Sequence, residues 1–188
     1  MKQYIIINGS PRKDGNSDHI TDLAVQELEQ QGAEVEVFKV REHETKSCVA
    51  CNSCKATGKC IHQDDAAALI EKVPACDGIL FVSPLYFAAA PGTVKVLIDR
   101  FYSLCDPAKG MTMPSADRKC GIVLTYGGTP DSEAEKAAGL FTMCGTVAGF
   151  GASQVVLCGN ENEKDAFANN QEYQGKIKEL VGWLNGNE

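Results

Sequence analysis

The chain of 188 residues has the size of a single domain, and we expect one compact fold over residues 1–188. An apolar fraction of 44% and a charged fraction of 23% are typical of globular proteins and exclude a disordered or collagen-like chain. The net charge of −7 argues against a nucleic-acid partner, which would require a basic surface. No apolar run approaches the roughly 20 residues of a membrane span, and the first residues lack the apolar core of an export signal.

The apolar pattern predicts strands that alternate with helices. Short apolar runs predict strands over residues 4–8, 35–40, 77–83, 120–125 and 154–157. Helical spacing predicts a helix capped by Ser17, a short helix capped by Asp64 or Asp65, helices over 93–105 and 132–150, and a last helix around 177–184. This alternation indicates an α/β fold with a doubly wound, five-stranded parallel sheet in the order 2-1-3-4-5.

In this strand order the ligand crevice lies beyond the carboxyl ends of the strands. We therefore expect the loops after the first, third and fourth strands to converge on one site. These loops span residues 9–17, 84–92 and 126–130.

The loop after the first strand has the features of a phosphate cradle. It precedes a helix, and the free N–H groups and dipole of a helix start favour an anion. Its side chains that can donate hydrogen bonds are Ser10, Arg12, Asn16 and Ser17. The loop lacks G-x-x-x-x-G-K-[ST] and G-x-G-x-x-G, which disfavours a P-loop or a dinucleotide site. An ordinary strand–helix turn, in which Ser and Asn only cap the helix, is the competing interpretation.

The other two loops suit a flat aromatic ring. The second contains Pro84, Leu85, Tyr86 and Phe87. The third contains Thr125, Tyr126, Gly127 and Gly128, whose glycines allow backbone N–H groups to approach ring oxygens. Core packing is the competing interpretation for the two aromatic residues of the second loop.

Together these segments resemble the three flavin loops of the flavodoxin-like NAD(P)H-dependent FMN reductases. Lys95 and Asp99-Arg100-Phe101 resemble the family's segment after the second loop, and the likeness extends over roughly residues 2–157. The resemblance implies that FMN, and not FAD, is bound by the twelve residues named above, with NAD(P)H as electron donor. It also implies a homodimer or tetramer, with residues 93–105, Met111 and Met113 as the contact surface.

Four of the nine cysteines lie within thirteen residues, in an insertion at about residues 45–63. These are Cys48, Cys51, Cys54 and Cys60. Thiolates suit zinc or an iron–sulfur cluster, and the nearby lysines favour the thiolate form. The spacing resembles the cysteine motif of the iron–sulfur flavoproteins, a branch of the same family. That implies a [4Fe–4S] cluster close to the flavin, folded over the crevice or reaching a partner's site. Zinc and free or oxidised thiols are the alternatives.

The remaining cysteines stand alone among apolar residues and are interpreted as small buried hydrophobes. They are Cys76, Cys105, Cys120, Cys144 and Cys158. His62 follows the motif closely enough to be a ligand, but a solvated loop histidine is the preferred interpretation. The odd number of cysteines and the absence of an export signal predict a reducing, cytoplasmic location.

The expected function is electron transfer from NAD(P)H through FMN to a small-molecule or protein acceptor, with the cluster passing electrons onward. No acid–base catalyst is assigned, because hydride chemistry belongs to the cofactor. One alternative is an electron carrier that a ferredoxin-like donor reduces, without nicotinamide activity. Another is a zinc- or thiol-stabilised binding module on the same scaffold. No membrane partner is expected.

Overall fold

The computed structural model describes residues 1–105 and 115–186. Within them, five parallel strands form one sheet in the order β2-β1-β3-β4-β5, which confirms the predicted fold. The strands are β1 (Gln3–Asn8), β2 (Glu34–Lys39), β3 (Gly78–Pro84), β4 (Ser115–Thr125) and β5 (Phe150–Cys158). The two central strands, β1 and β3, are buried on both faces, as their continuous apolar runs require.

Helices cover both faces of the sheet. They are α1 (Asn16–Gln30), α2 (Ser53–Thr57), α3 (Asp65–Lys72), α4 (Gly92–Arg100), α5 (Asp131–Val147) and α6 (Gln171–Asn185). Alternate residues of β1 point to opposite faces. Ile6 belongs to the core beneath α1 and α6, whereas Ile5 and Ile7 belong to the core beneath α3, α4 and α5. None of the described helices is long and apolar enough to cross a membrane.

Several element boundaries differ from the sequence-based expectation. Helix α5 ends at Val147 because Gly149 adopts a φ of 89°, a left-handed conformation that stops a helix. Helix α1 begins at Asn16 with Gly15 at its N-cap, so Ser17 does not cap it. The predicted cap at Asp64 is confirmed, since its Oδ1 accepts a hydrogen bond from the N–H of Ala67 at 3.0 Å.

Four further elements were predicted too short, too long or not at all. Strand β5 begins at Phe150 and is longer than predicted, and β4 begins at Ser115. Helix α4 ends at Arg100 and continues as a 3₁₀ turn to Leu104. The cysteine-rich insertion contains the short helix α2, for which the sequence gives no periodic signal. Met111 and Met113 lie outside the described residues.

Candidate functional site

A cavity of about 190 Å³ lies at the carboxyl ends of the strands. The loops after β1, β3 and β4 converge there, as predicted, and the loop after β5 joins them. Ten of the twelve residues expected to bind the cofactor line the cavity, and Phe87 and Gly128 do not. The lining residues are Ser10, Arg12, Gly15, Asn16, Ser17, Pro84, Leu85, Tyr86, Thr125, Tyr126, Gly127, Glu161 and Asn162.

A buried carboxylate in the first turn of α1 holds the loop after β1. Asp18 accepts hydrogen bonds from both terminal nitrogens of Arg41, each at 3.0 Å. It also accepts from Asn8 Nδ2 at 2.8 Å and from the N–H of Asp14 at 2.7 Å. Arg41 in turn donates to the carbonyl oxygen of Ser10 at 3.3 Å. A bidentate, charge-assisted pair therefore fixes the loop before any ligand enters.

Two donors of this loop remain available to a ligand. The exposed Arg12 guanidinium makes no ion pair with any described residue, and the Ser17 hydroxyl makes no hydrogen bond to one. No side chain caps α1 within the described part of the chain, so its first N–H groups also face the cavity end of the helix. A free cation, a hydroxyl and a helix start are together suited to a phosphate group.

The Asn16 side chain performs a different task from the one predicted. Its Nδ2 donates to the carbonyl oxygens of Glu161 at 3.1 Å and Glu163 at 2.8 Å. Its Oδ1 accepts from the N–H of Phe167 at 3.1 Å. The amide therefore joins α1 to the loop after β5, and only the backbone of Asn16 remains for a ligand.

The loop after β3 exposes its aromatic residues, which contradicts the core-packing alternative. Tyr86 is 41% exposed and lines the cavity, whereas Phe87 is fully exposed outside it. Phe87 and Ala88 both have a positive φ, of 52° and 56°, and the N–H of Tyr86 closes the turn on the carbonyl oxygen of Ala89 at 2.9 Å. Alternation along a strand could not reveal this turn, which carries Phe87 away from the site.

The loop after β4 meets the loop after β5. The Tyr126 hydroxyl donates to Asp131 Oδ1 at 2.7 Å, and burial raises the pKa of Tyr126. A Cβ atom on Gly127 would lie 1.7 Å from Asn162 Oδ1, so only glycine allows this contact. Gly128 faces open space.

The residues that line the cavity suit FMN in their chemistry. Ligand cavities usually measure about 300–1,000 Å³. Asn162 narrows this one by covering Gly127, and because Asn162 is exposed its side chain can rotate away. The loop after β1 contributes the phosphate donors to the lining, and the loops after β3 and β4 contribute Pro84, Tyr86 and the Gly127 backbone, which offer a surface for a flat ring.

The four thiols of the cysteine-rich insertion are unpaired. Cys48 and Cys51 are exposed, and Cys54 and Cys60 are partly exposed. Hydrogen bonds from Ser53 lower the pKa of Cys51. Among residues 1–105 and 115–186, no group of three or more His, Cys, Asp or Glu side chains is placed to hold a metal ion. The donor set suits a soft metal centre, but its thiols would have to move together to form one.

A fully buried ion pair anchors both ends of this insertion to α4. Arg100 Nη1 donates to Asp64 Oδ2 at 2.8 Å, and Nη2 donates to Asp64 Oδ1 at 3.1 Å. The backbone of Lys46 joins the pair: its N–H donates to Asp64 at 2.8 Å and its carbonyl accepts from Arg100 at 2.8 Å. Burial alone would raise the pKa of Asp64, but these hydrogen bonds outweigh burial and hold it well below its usual value.

Two further contacts dock the insertion on the turn after α4. Lys55 donates to the carbonyl oxygens of Tyr102 and Cys105, and its ammonium lies 3.8 Å from the Tyr102 ring centroid. Arg100 makes a hydrogen bond to the thiol of Cys60. The cavity lies at the start of α4, and the nine residues of α4 extend about 13 Å. These contacts therefore hold the insertion at the far end of α4, and it does not fold over the crevice.

The other cysteines and His62 fit the simpler interpretations, with one difference. Four of the five isolated cysteines are buried, and only Cys105 is partly exposed. Burial raises the pKa of Cys120 and Cys158 to about 12, so these thiols are protonated and inert at neutral pH. His62 Nε2 lies 3.1 Å from the carbonyl oxygen of Ser47, across the neck of the insertion.

The fold and the cavity together define a flavodoxin-like protein. Residues 3–162 match the family model of the NADPH-dependent FMN reductases. The chain belongs to this family.

Curated relatives match part of the chain. An iron-sulfur flavoprotein of Methanocaldococcus jannaschii is 36% identical over 98 residues, which are 52% of this chain and 51% of that protein. An iron-sulfur flavoprotein of Methanosarcina thermophila is 32% identical over 130 residues, which are 69% of this chain and 65% of that protein. The chain thus spans between about half and two thirds of the length of these two relatives.

Solved structures share the fold over almost the whole chain. A FMN-dependent NADH-azoreductase of Bacillus anthracis, solved in complex with FMN, has a TM-score of 0.71 at 13% identity and covers 98% of this chain and 99% of its own. A NAD(P)H:quinone oxidoreductase of Methanothermobacter marburgensis has a TM-score of 0.70 at 14% identity, over 96% of this chain and 97% of its own. At such identities the likeness shows the fold alone.

Proposed function

We propose that the protein binds FMN in the cavity at the carboxyl ends of the strands and acts as an oxidoreductase that takes electrons from NAD(P)H. The observation that carries this proposal is that four loops converge on one cavity. Its lining includes the Arg12 guanidinium, which makes no ion pair with a described residue, and the Ser17 hydroxyl, which makes no hydrogen bond to one. Bound FMN would supply the chemistry, since a flavin accepts one hydride, which carries two electrons, and releases electrons singly or in pairs.

The chain's own residues bind, orient and shield the cofactor. Arg12, Ser17 and the start of α1 hold the phosphate, while the Asp18–Arg41 pair keeps the loop in place. Tyr86 and the backbone at Gly127 flank the ring. No described side chain in the cavity is assigned to proton transfer.

Replacing Arg12 with glutamate and Ser17 with alanine together is expected to weaken FMN binding about 10- to 100-fold, since charge-assisted hydrogen bonds contribute about 1.5–3 kcal/mol. Fluorescence titration of the apoprotein with FMN measures the change. Lys13→Glu is the matched control, because Lys13 lies in the same loop, is exposed and does not line the cavity. Equal affinities for the double variant and the wild type would remove the phosphate assignment.

We propose further that Cys48, Cys51, Cys54 and Cys60 ligate a [4Fe–4S] cluster, which would carry one electron at a time. Four unpaired, accessible thiols support this, as do the names of the relatives. The anchoring of the insertion at the far end of α4 favours an approach to a partner subunit's flavin over its own. We therefore also propose a homodimer or tetramer, which a monomer mass in light scattering would reject.

A second candidate is an electron carrier reduced by a ferredoxin-like protein; the names of the relatives join an iron–sulfur centre to a flavin and mention no nicotinamide donor. Stopped-flow absorbance of the flavin band distinguishes the two. The proposed oxidoreductase predicts that NADH or NADPH bleaches the band and that turnover of an artificial acceptor follows. The carrier predicts an unchanged band with nicotinamide and bleaching by reduced ferredoxin. Zinc at the thiols and an inability to bind FMN would instead indicate a binding module.

Nine unpaired cysteines support a reducing, cytoplasmic location.

A further inference from the structure

The loop after β5 places a buried carboxyl group in the cavity wall, and the proposed function does not use it. Glu161 is 8% exposed and lines the cavity together with Arg12 and Ser17. Its Oε2 atom is buried and has no hydrogen-bond partner among the described residues. Leaving such an atom unpaired is costly, so its partner is expected to come from the ligand.

The position of Glu161 is fixed from three sides. Its N–H donates to the carbonyl oxygen of Tyr126 at 3.0 Å, which ties it to the end of β4. Its carbonyl accepts from Asn16 Nδ2 at 3.1 Å, which ties it to the start of α1. The Asn170 side chain, at the N-cap of α6, hydrogen-bonds to its carboxyl group. The first two contacts fix the backbone of Glu161 beside the cavity, and the hydrogen bond with Asn170 restrains its carboxyl group.

We propose that Glu161 contacts bound FMN and takes up a proton from solvent when FMN binds, so that FMN affinity falls as the pH rises. This inference rests on the proposed binding of FMN. A carboxylate and a phosphate that share a cavity of about 190 Å³ repel each other. A protonated carboxyl group removes that repulsion and offers an O–H donor to the ligand.

Burial supports the protonated form, because it raises the pKa of Glu161 and outweighs the hydrogen bond from Asn170. A raised pKa means that the proton is bound at low pH and lost as the pH increases. Binding of an anionic ligand raises that pKa further, and thermodynamic linkage then makes FMN affinity depend on pH.

Five other ionisable groups around Glu161 keep their protonation state between about pH 5 and 8. Burial raises the pKa of Cys158 to about 12 and raises the pKa of Tyr126 and Tyr173. Lys176, beside Cys158 and Tyr173, stays cationic, as does Arg12 across the cavity. His19 is a further ionisable neighbour: its Nε2 lies 3.2 Å from Asp165 Oδ1 in the loop after β5, and its contribution is tested by substitution.

The experiment compares the wild type with Glu161→Gln, which keeps the shape and one oxygen but cannot ionise. FMN dissociation constants are measured by fluorescence titration between about pH 5 and 8. The FMN phosphate titrates alike for both proteins. The ratio of their two dissociation constants therefore reports the contribution of Glu161 alone. We expect equal affinities at the acid end and about tenfold tighter binding by Glu161→Gln at the alkaline end, a difference of about 1.4 kcal/mol.

Three controls keep the source of the effect clear. Riboflavin lacks the phosphate, so the two proteins should differ much less in their affinity for it. Glu163→Gln removes an exposed charge from the same loop and should behave as wild type. Calorimetry of FMN binding in two buffers of different ionisation enthalpy should show that the wild type takes up as much as about one proton more than Glu161→Gln, since the phosphate contributes equally to both.

The outcomes separate the inference from the function on which it rests. If the FMN dissociation constants of wild type and Glu161→Gln change in parallel with pH, and the two proteins take up equal numbers of protons, the inference is overturned and FMN binding stands. Loss of the pH dependence in His19→Gln instead assigns the proton to His19 and also overturns the inference. A wild type that binds no FMN at any pH overturns the proposed function and the inference together.

Discussion

Replacing Arg100 with methionine is expected to lower the free energy of unfolding by about 3–5 kcal/mol, because it leaves a buried charge without its partner. The side chains of Arg100 and Asp64 are both fully buried, and their two hydrogen bonds measure 2.8 and 3.1 Å. Urea-induced unfolding with an unchanged m-value measures the loss.

The same helix provides a matched control. Asp99→Asn breaks an exposed pair with Lys95, one turn away, and should cost no more than about 0.5 kcal/mol. The double variant Arg100→Met with Asp64→Leu should recover only part of the stability lost: neither charge then stays buried alone, but Asp64 no longer caps α3 or accepts from the N–H of Lys46. Equal effects of the exposed and buried substitutions would contradict the prediction.

The same pair predicts how the wild type responds to acid. The pKa of Asp64 is lowered in the folded state, so the stability that the pair contributes is present above the unfolded value of about 3.9. It is lost as the pH falls from there toward the lowered pKa. Asp64→Leu with Arg100→Met should lack this part of the acid sensitivity.

Cys54→Ala is expected to abolish iron binding while FMN binding continues. Anaerobically purified wild type should contain about four iron atoms per chain if the four thiols hold the proposed cluster. Iron analysis and visible absorbance, with flavin measured on the same sample, test this. Handling without oxygen matters because Cys48 and Cys51 are exposed, so a bound cluster would be open to oxidation.

Cys105→Ala is the control for this experiment. Cys105 is partly exposed and lies on the turn that Lys55 contacts, but it stands outside the four-cysteine motif. It should keep the full iron content. Flavin without iron in anaerobic wild type would refute the cluster, and zinc in its place would support the structural alternative.

Local patterns were sufficient to predict the sheet and most of the cavity. The buried runs of β1 and β3 and the alternation of strand with helix imply the parallel order, and that order places three loops at one end. Glu161 and Asn162 were missed because the loop after β5 has no periodic signal. Its position depends on Asn16, 145 residues earlier in the chain, through a hydrogen bond that no local pattern encodes.

The placement of the cysteine-rich insertion was beyond sequence reasoning for a related reason. Strand β2 ends beside β1, which suggested a segment lying over the crevice. The actual position depends on contacts across 36 and 54 residues, from Arg100 to Asp64 and to Lys46. Phe87 illustrates a smaller failure, since a non-glycine residue with positive φ is uncommon and its side chain direction cannot be read from composition.

The junction of Lys46, Asp64 and Arg100 also bears on which segment of this chain can be replaced by another, in evolution or by design. The polypeptide enters and leaves the insertion at one point, where the N–H of Lys46 and the carboxylate of Asp64 are 2.8 Å apart. None of the described residues between them belongs to the apolar core beneath α4. Each doubling of the intervening length costs only about 0.6 kcal/mol in loop-closure entropy. Residues 47–63 form an exchangeable cassette, in which metal-binding loops of other lengths and ligand types could be substituted on an unaltered flavodoxin-like scaffold.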